Sequence, residues 1–316
     1  MLVDDYLVCP SRTADEIVQL AVSAEKPNLI LLDSDLGGAH GHEVCRELKA
    51  DPRSEGIPLI LLLEKCDYLL EAKALEVGAV DYITRPINPV VLLSRIRTHL
   101  ALKDQTLTFE RMVRERTAEL RSSRLQVIRR LSRAVEFRDS ETGLHIVRMS
   151  QYSHLLAQAA GMGAEQAELL LNAAPMHDIG KIGIPEDILL KEGRLTQREW
   201  KMMQAHTTIG ARIIENHSKL MTTARLVALT HHERWDGSGY PHGLKASEIP
   251  FEGRIVAIAD VFDALTSDRP YKEAWTLEQA LALIEEQQGK HFDPALARLF
   301  TELIPEIQAI RKKSEE

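Results

Sequence analysis

Seven of the chain's 12 histidines fall between His145 and His232, several of them beside acidic residues. His177 is followed directly by Asp178, and His231 by His232. His145 stands four residues after Glu141, so the two share a helical face. His206 lies between the two pairs, and Asp260 ends the apolar run Ile255-Val-Ala-Ile-Ala-Asp260. Each of these residues has a bland reading when taken alone. A lone helical histidine is more often a satisfied polar or capping side chain than a ligand, and Asp260 reads equally as the cap of a neighbouring turn. Taken as a set, five histidines and two aspartates suit a pair of divalent transition metals. Imidazole favours iron, manganese, nickel or zinc, and a carboxylate can bridge two ions. The spacings are too long for a zinc finger, and the chain contains no H-E-x-x-H helix.

The elements that must carry these residues divide the chain into three stretches. Residues 139–316 read as nearly all helical, with stretches at Met149–Ala157, Ala164–Ala174, Gln197–Glu215, Ser218–His231, Arg254–Leu265 and Leu277–Gln287. Loops containing Gly, Pro and Asp separate them. Residues 101–138 are rich in Arg, Glu and Leu and contain neither Pro nor Gly. There Val113, Thr117, Leu120, Arg124, Val127, Leu131 and Ala134 follow a four-three spacing, which Thr117 weakens and Arg124 interrupts. The stretch reads either as one amphipathic connecting helix or as a homodimeric coiled coil. Residues 1–100 alternate strands and helices. Asn28-Leu-Ile-Leu-Leu-Asp33 and Pro58-Leu-Ile-Leu-Leu-Leu63 are short apolar runs suited to buried parallel strands, with helical spacing from His42 to Ala50 between them. Gly78-Ala-Val-Asp-Tyr-Ile83 reads as a third strand, and the alternation points to a doubly wound α/β domain.

Bulk composition narrows the function classes. A formal net charge of -8 makes the chain a poor binder of duplex nucleic acid, whose affinity rests on counterion release by Lys and Arg. A small anion held by a few placed cations is still compatible with that charge. No stretch approaches 18 apolar residues and no leader pattern opens the chain, so the expectation is a cytoplasmic protein without membrane contact. Cys9, Cys45 and Cys66 are scattered and read as free thiols.

Longer motifs join these residues. His177-Asp-Ile-Gly-Lys-Ile-Gly-Ile-Pro185 is followed by His231-His-Glu-Arg-Trp-Asp-Gly-Ser-Gly-Tyr-Pro241. Next come Ala259-Asp-Val-Phe-Asp-Ala-Leu-Thr-Ser-Asp-Arg-Pro-Tyr-Lys272 and His291-Phe-Asp-Pro294. In this order they resemble the HD-GYP family of cyclic-di-GMP phosphodiesterases, over residues 139 to about 305. The resemblance implies an all-α HD-domain helical bundle. It also implies hydrolysis of cyclic-di-GMP to pGpG, and onward to GMP where the linear product is cut again. His145, His177, Asp178 and Asp260 would hold one metal, and Asp178 as a bridge would join His206, His231 and His232 around a second. Glu141 matches the residue that supplies a third metal in some members. Lys181 matches the residue that contacts the scissile phosphate, and with Asp178 it carries the chemistry. Arg269 and Lys272 match contacts to the far phosphate or guanine. Gly239-Tyr240-Pro241 shapes the adjoining loop, to which no chemistry is assigned. The family usually has Gly where this chain has Ala246. Two other readings are a receptor that binds the dinucleotide without turning it over, and an HD-type phosphohydrolase acting on another nucleotide. The complete ligand set argues against the first, and the Gly-Tyr-Pro loop with Arg269-Pro-Tyr-Lys272 against the second.

The first hundred residues resemble a response-regulator receiver, a flavodoxin-like α/β fold. The matching residues are Pro27–Asp33, Gly41-His-Glu-Val44, Ile57-Pro58 and Gly78–Pro86. The resemblance places the phosphoacceptor at Asp33, the Mg²⁺-holding acidic pair at Asp4 and Asp5, and a sensor kinase or other signalling protein among the partners. Three departures weaken it. Asp5 precedes Asp33 by only 28 residues, so Leu7 to Asp33 fits a second strand, second helix and third strand, and the receiver reads as incomplete, without its first helix. Leu63 stands where a hydroxyl residue is usual. Arg85 replaces the usual Lys and lacks its point-like ammonium. A phosphorylation switch with Mg²⁺ and a degenerate docking module are both compatible with what is left.

Overall fold

The computed structural model describes the chain apart from residues 1, 3, 4, 37–39, 140–143, 216, 269–272 and 316 and the side chains of 139 and 315. The chain forms two compact units, Met1–Glu119 and Leu120–Glu316.

The first unit is a three-stranded parallel sheet, β1 (Ile30–Asp33), β2 (Leu59–Leu63) and β3 (Asp81–Thr84), in the order β1-β2-β3. Ile30 pairs with Leu59, and Leu61 with Tyr82. All three strands fall where the apolar runs predict them, with ends shifted by at most three residues. Helices α1 (Ala14–Ala21), α2 (Gly41–Ala50) and α3 (Tyr68–Glu76) alternate with them. Thr13 and Glu16 close a capping box that starts α1. The core gathers Leu32, Val44, Leu48, Leu61 and Leu63, all essentially buried.

The expectation of a strand near Leu7 is not met. Leu7 is 95% exposed, and among the described residues no strand precedes β1. In the flavodoxin-like order 2-1-3-4-5 the second strand pairs only with the first. With no first strand described, the backbone around Leu7 has no ladder to join. Helix α3 was not foreseen because its apolar residues follow no helical stripe, and only Ala74 is buried.

The residues expected to link the two halves belong to a single helix, α4 (Pro89–Glu136), which begins before the expected linker and takes in all of it but its last two residues. Val113, Leu120, Val127 and Leu131 on its seam are each more than half exposed. Toward its C-terminal end the character changes. Ile128 packs on Ala173, Met176 and Ala228, and Ser132, Val135 and Glu136 are buried.

Among its described residues the second unit holds helices and no strand: α5 (Leu144–Ala159), α6 (Ala164–Ala173), α7 (Glu186–Leu189), α8 (Gln197–Gln204), α9 (His206–Ile213), α10 (Lys219–Thr230), α11 (Phe251–Thr266), α12 (Leu277–Glu286), α13 (Pro294–Glu302) and α14 (Ile304–Glu315). Met149, Tyr152 and Leu156 form the buried stripe of α5, and Ile255, Ile258, Ala259 and Phe262 that of α11. The rings of Tyr152 and Phe300 meet that of Phe262 edge-on at 5.7 and 5.1 Å. Each such side chain contributes about 1.5–3 kcal/mol on burial, so α5 and α11 are firmly joined, and with them His145 and Asp260.

The single helix expected over Gln197–Glu215 is two, because the chain tightens into a turn at Ala205 and restarts at His206. A 3-10 turn at Ile179–Gly183 lies directly against that restart. A Cβ on Gly180 would overlap the His206 carbonyl oxygen and come within 2.5 Å of the Gly210 nitrogen, so only glycine allows the approach. Among the described residues, no helix is long and apolar enough to cross a membrane.

Candidate metal centre

Three of the histidines are aimed by a main-chain carbonyl three or four residues back: His177 by the 3-10 turn before it, His206 by the last turn of α8, and His231 by α10. His177 Nδ1 donates to the Ala174 carbonyl (3.0 Å), His206 Nδ1 to Met203 (2.7 Å) and His231 Nδ1 to Val227 (3.0 Å). A carbonyl only accepts, so the proton sits on Nδ1 and Nε2 is left with its lone pair. In all three cases the bond reaches back three or four residues, within one helical turn. His145 uses a side chain instead, its Nδ1 lying 2.8 Å from Asp263 Oδ2.

These Nε2 atoms converge on two carboxylates. His145, His177 and Asp260 form one group whose ligand-type atoms lie within 4.8 Å of one another, and Asp178, His206, His231 and His232 form a second. Asp178 spans both. Its Oδ1 is 3.2 Å from His206 Nε2 and 3.5 Å from His231 Nε2, while Oδ2 is 3.2 Å from His177 Nε2. Asp260 Oδ1 lies 3.4 Å from His145 Nε2 and 3.9 Å from His177 Nε2. The Nε2 atoms of His177, His206 and His231 and Oδ1 of Asp178 are buried and make no well-formed hydrogen bond. Lone pairs facing carboxylate oxygens inside a protein repel unless a proton or a cation stands between them. The donor set therefore fits divalent cations.

The electrostatics agree. Burial alone would raise Asp178, but Lys181 and His177 outweigh it and hold the carboxyl well below the usual range. Asp260 is held down in the same way by His145 and His177. Burial works against charge on His177, yet Asp178 and Asp260 prevail and raise it to about 8, and His145 is likewise raised. The carboxylates thus favour positive charge on this side of the cluster, the charge that a bound cation would supply. His206 is pulled down to about 4 by burial, and His232 is lowered by burial and by His231. These two members of the second group are thus already deprotonated at neutral pH.

Several residues not singled out from the sequence support this cluster. Asp263, fully buried, accepts from Arg148 Nε (2.7 Å) and Nη2 (2.8 Å) as well as facing His145. It thereby fixes which nitrogen of His145 faces the site. Asp263 follows Asp260 by three residues and Arg148 follows His145 by three. A charged residue one helical turn from a ligand, within an apolar helix, was the available signal. Glu233, buried beside His232, accepts from the backbone nitrogens of His242 (2.8 Å) and Leu244 (3.0 Å) and so anchors the Gly239-Tyr240-Pro241 loop. Tyr240 stacks on His232 with ring centroids 4.8 Å apart and walls that side of the cluster. Gly239 approaches the Glu233–Arg234 backbone too closely to carry a Cβ. The departure at Ala246 also has a physical reading. Its φ is 52°, a left-handed conformation that favours glycine and costs other residues about 1–2 kcal/mol.

Lys181 Nζ lies 2.8 Å from Asp178 Oδ2, at the edge of the cluster. Glu141, Arg269 and Lys272 lie outside the described residues, as does Asp4. In the first unit Asp33 ends β1, and Arg85 Nη2 sits 2.5 Å from its Oδ2. Asp5 pairs with Arg97 at 3.2 Å. Among the described residues no metal-binding group forms around Asp33.

Residues 4–97 match the response regulator receiver domain family, and residues 114–296 match the HD domain family. The cyclic di-GMP phosphodiesterase response regulator RpfG of Xanthomonas campestris pv. campestris is 41% identical over 86% of this chain and 74% of its own length. A cyclic di-GMP phosphodiesterase of Thermotoga maritima is 36% identical over 98% of this chain and 87% of its own. A 3'3'-cGAMP-specific phosphodiesterase of Vibrio cholerae is 45% identical over 65% of this chain and 39% of its own. With the His/Asp cluster and the Gly-Tyr-Pro loop in place within these matches, the chain belongs to the HD-GYP family of HD-domain proteins, carrying a response-regulator receiver ahead of the HD domain.

Proposed function

We propose that the chain hydrolyses cyclic-di-GMP to linear pGpG in a metal-dependent reaction, with residues 139–316 as the catalytic domain, 1–100 as the receiver and 101–138 as the linker. The observation that carries this reading is the Asp178 carboxylate, which spans two imidazole groups and also meets Lys181. His145, His177, Asp178 and Asp260 would hold one ion, and Asp178, His206, His231 and His232 another. Iron, manganese, nickel or zinc suits this donor set. Glu141 is the candidate donor for a third ion. Bound there, such ions supply the Lewis acidity that makes water nucleophilic at neutral pH and offsets charge on the phosphate.

The chain's own residues do the rest. A water oxygen bonds to phosphorus as the bond to the ribose 3′ oxygen breaks; the water gives up a proton to solvent and the leaving oxygen takes one from solvent. Lys181, held at the cluster edge by Asp178, stabilises charge on the equatorial oxygens. Tyr240 over His232 closes one wall against bulk water. Arg269 and Lys272 are the candidates for the far phosphate or guanine. A second reading, cyclic GMP-AMP as substrate, is favoured by the Vibrio cholerae relative, which is 45% identical.

We read the receiver as a docking module, because Arg85 already occupies Asp33 and Leu63 offers no hydroxyl. We also read α4 as the seam of a homodimer, since a second copy would cover Val113, Leu120 and Val127.

Four outcomes are expected. Metal-loaded protein should convert cyclic-di-GMP to pGpG faster than cyclic GMP-AMP to its linear product; the reverse order would favour the second reading. Replacing His177 and Asp178 together with Ala should remove turnover, and retention of more than about a tenth of the wild-type rate would take the cluster out of the mechanism. Beryllofluoride should not bind stoichiometrically at Asp33; saturation at one per chain would restore the switch. In sedimentation velocity the chain should run as a dimer held by the seam of α4. Charge placed on that seam by Leu120→Glu should give monomer, and a wild-type monomer would contradict the seam.

A further inference from the structure

The 3-10 turn Ile179–Gly183 carries Lys181 and follows Asp178 directly. Such a turn is short and leaves carbonyls at its C-terminal end without partners inside the turn. The Lys181 carbonyl takes the Ile184 N–H (3.1 Å) at the end of the turn, and a further donor comes from elsewhere in the sequence. Arg138 Nη1 donates to the carbonyl oxygens of Ile182 (2.9 Å) and Lys181 (3.3 Å), and Nη2 to that of Ile184 (3.4 Å). One guanidinium thus holds three carbonyls over four residues, a fork that a single ammonium could not reproduce.

Arg138 stands two residues past the end of α4, in a short 3-10 turn at Phe137–Asp139. The last turn of α4 is itself packed into the second unit. Val135 and Glu136 are buried, and Glu136 Oε1 lies 4.0 Å from His145 Nε2. The end of the linker helix therefore meets the cluster at His145 and the Lys181 turn at Arg138.

We propose that Arg138 is a positioning residue: its guanidinium holds the 181–184 backbone so that Lys181 stays beside Asp178, and the end of α4 thereby sets the placement of the catalytic lysine. The role assigned to Lys181 rests on the function proposed above; the hold on the turn does not.

Two readouts separate these layers. The first is amide hydrogen exchange over 179–184 in the full metal-loaded chain, which needs no substrate. Arg138→Gln should speed exchange there and leave metal content unchanged, with Arg138→Lys intermediate. The second is a double-mutant cycle on cyclic-di-GMP turnover. Arg138→Gln should lower kcat about tenfold when Lys181 is present, the scale of a displaced reacting group. In a Lys181→Ala background it should cost less than about twofold, because the two act as a unit. Unchanged exchange over 179–184 would overturn the proposal, and so would an equal loss of kcat in both backgrounds. Should the wild type turn over no cyclic dinucleotide, the function reading fails, and the exchange result still decides whether Arg138 holds the turn.

Discussion

Within the HD domain, the Nε2 atoms of His145, His177, His206 and His231 face the oxygens of Asp178 and Asp260, in a space that is almost closed to water. That arrangement is unfavourable until positive charge enters it. Protons serve in part, as the raised His145 and His177 indicate. They do not serve at His206 and His232, which burial holds neutral. A protein that packs α5 and α11 tightly around such a cluster keeps it because something positive belongs there. On this reading the function follows from electrostatics first, with the hydrolytic chemistry built on the cation the cluster demands.

The surrounding frame fixes the cluster without using much of the sequence. Three histidines are aimed by a carbonyl three or four residues back, so local backbone geometry sets the direction of Nε2. The break at Ala205 is needed for this, since it lets His206 begin a new helix against Gly180. Asp263 and Arg148 do for His145 what carbonyls do for the others. Glu233 and Gly239 pin the loop that lays Tyr240 on His232. The long helix α4 enters the same frame at its end, through Val135, Glu136 and Arg138.

The seven cluster residues were legible in the sequence because His and Asp are costly to bury, and their grouping called for a common cause. The three strands were legible because short apolar runs between turn residues have few alternatives. What sequence did not reveal depends on distant partners. Asp263, Glu233 and Arg138 are ordinary charged residues until the fold brings Arg148, the 242–244 backbone or the 181–184 carbonyls to them. Helix α9 was merged with α8 because the turn at Ala205 involves no glycine or proline. The strand expected at Leu7 failed for the converse reason: among the described residues, a plausible local run has no neighbouring strand to pair with. At Ala246 the departure from the family's glycine is a left-handed residue without the glycine that suits it.

The central requirement is that Asp178 lies between two cations. Anomalous diffraction from crystals of the manganese- or iron-loaded protein tests this most directly. Two metal peaks about 3.5–4 Å apart are expected, one on each side of the Asp178 carboxylate. A single peak not touching Asp178, or no peak in the cluster, would contradict it.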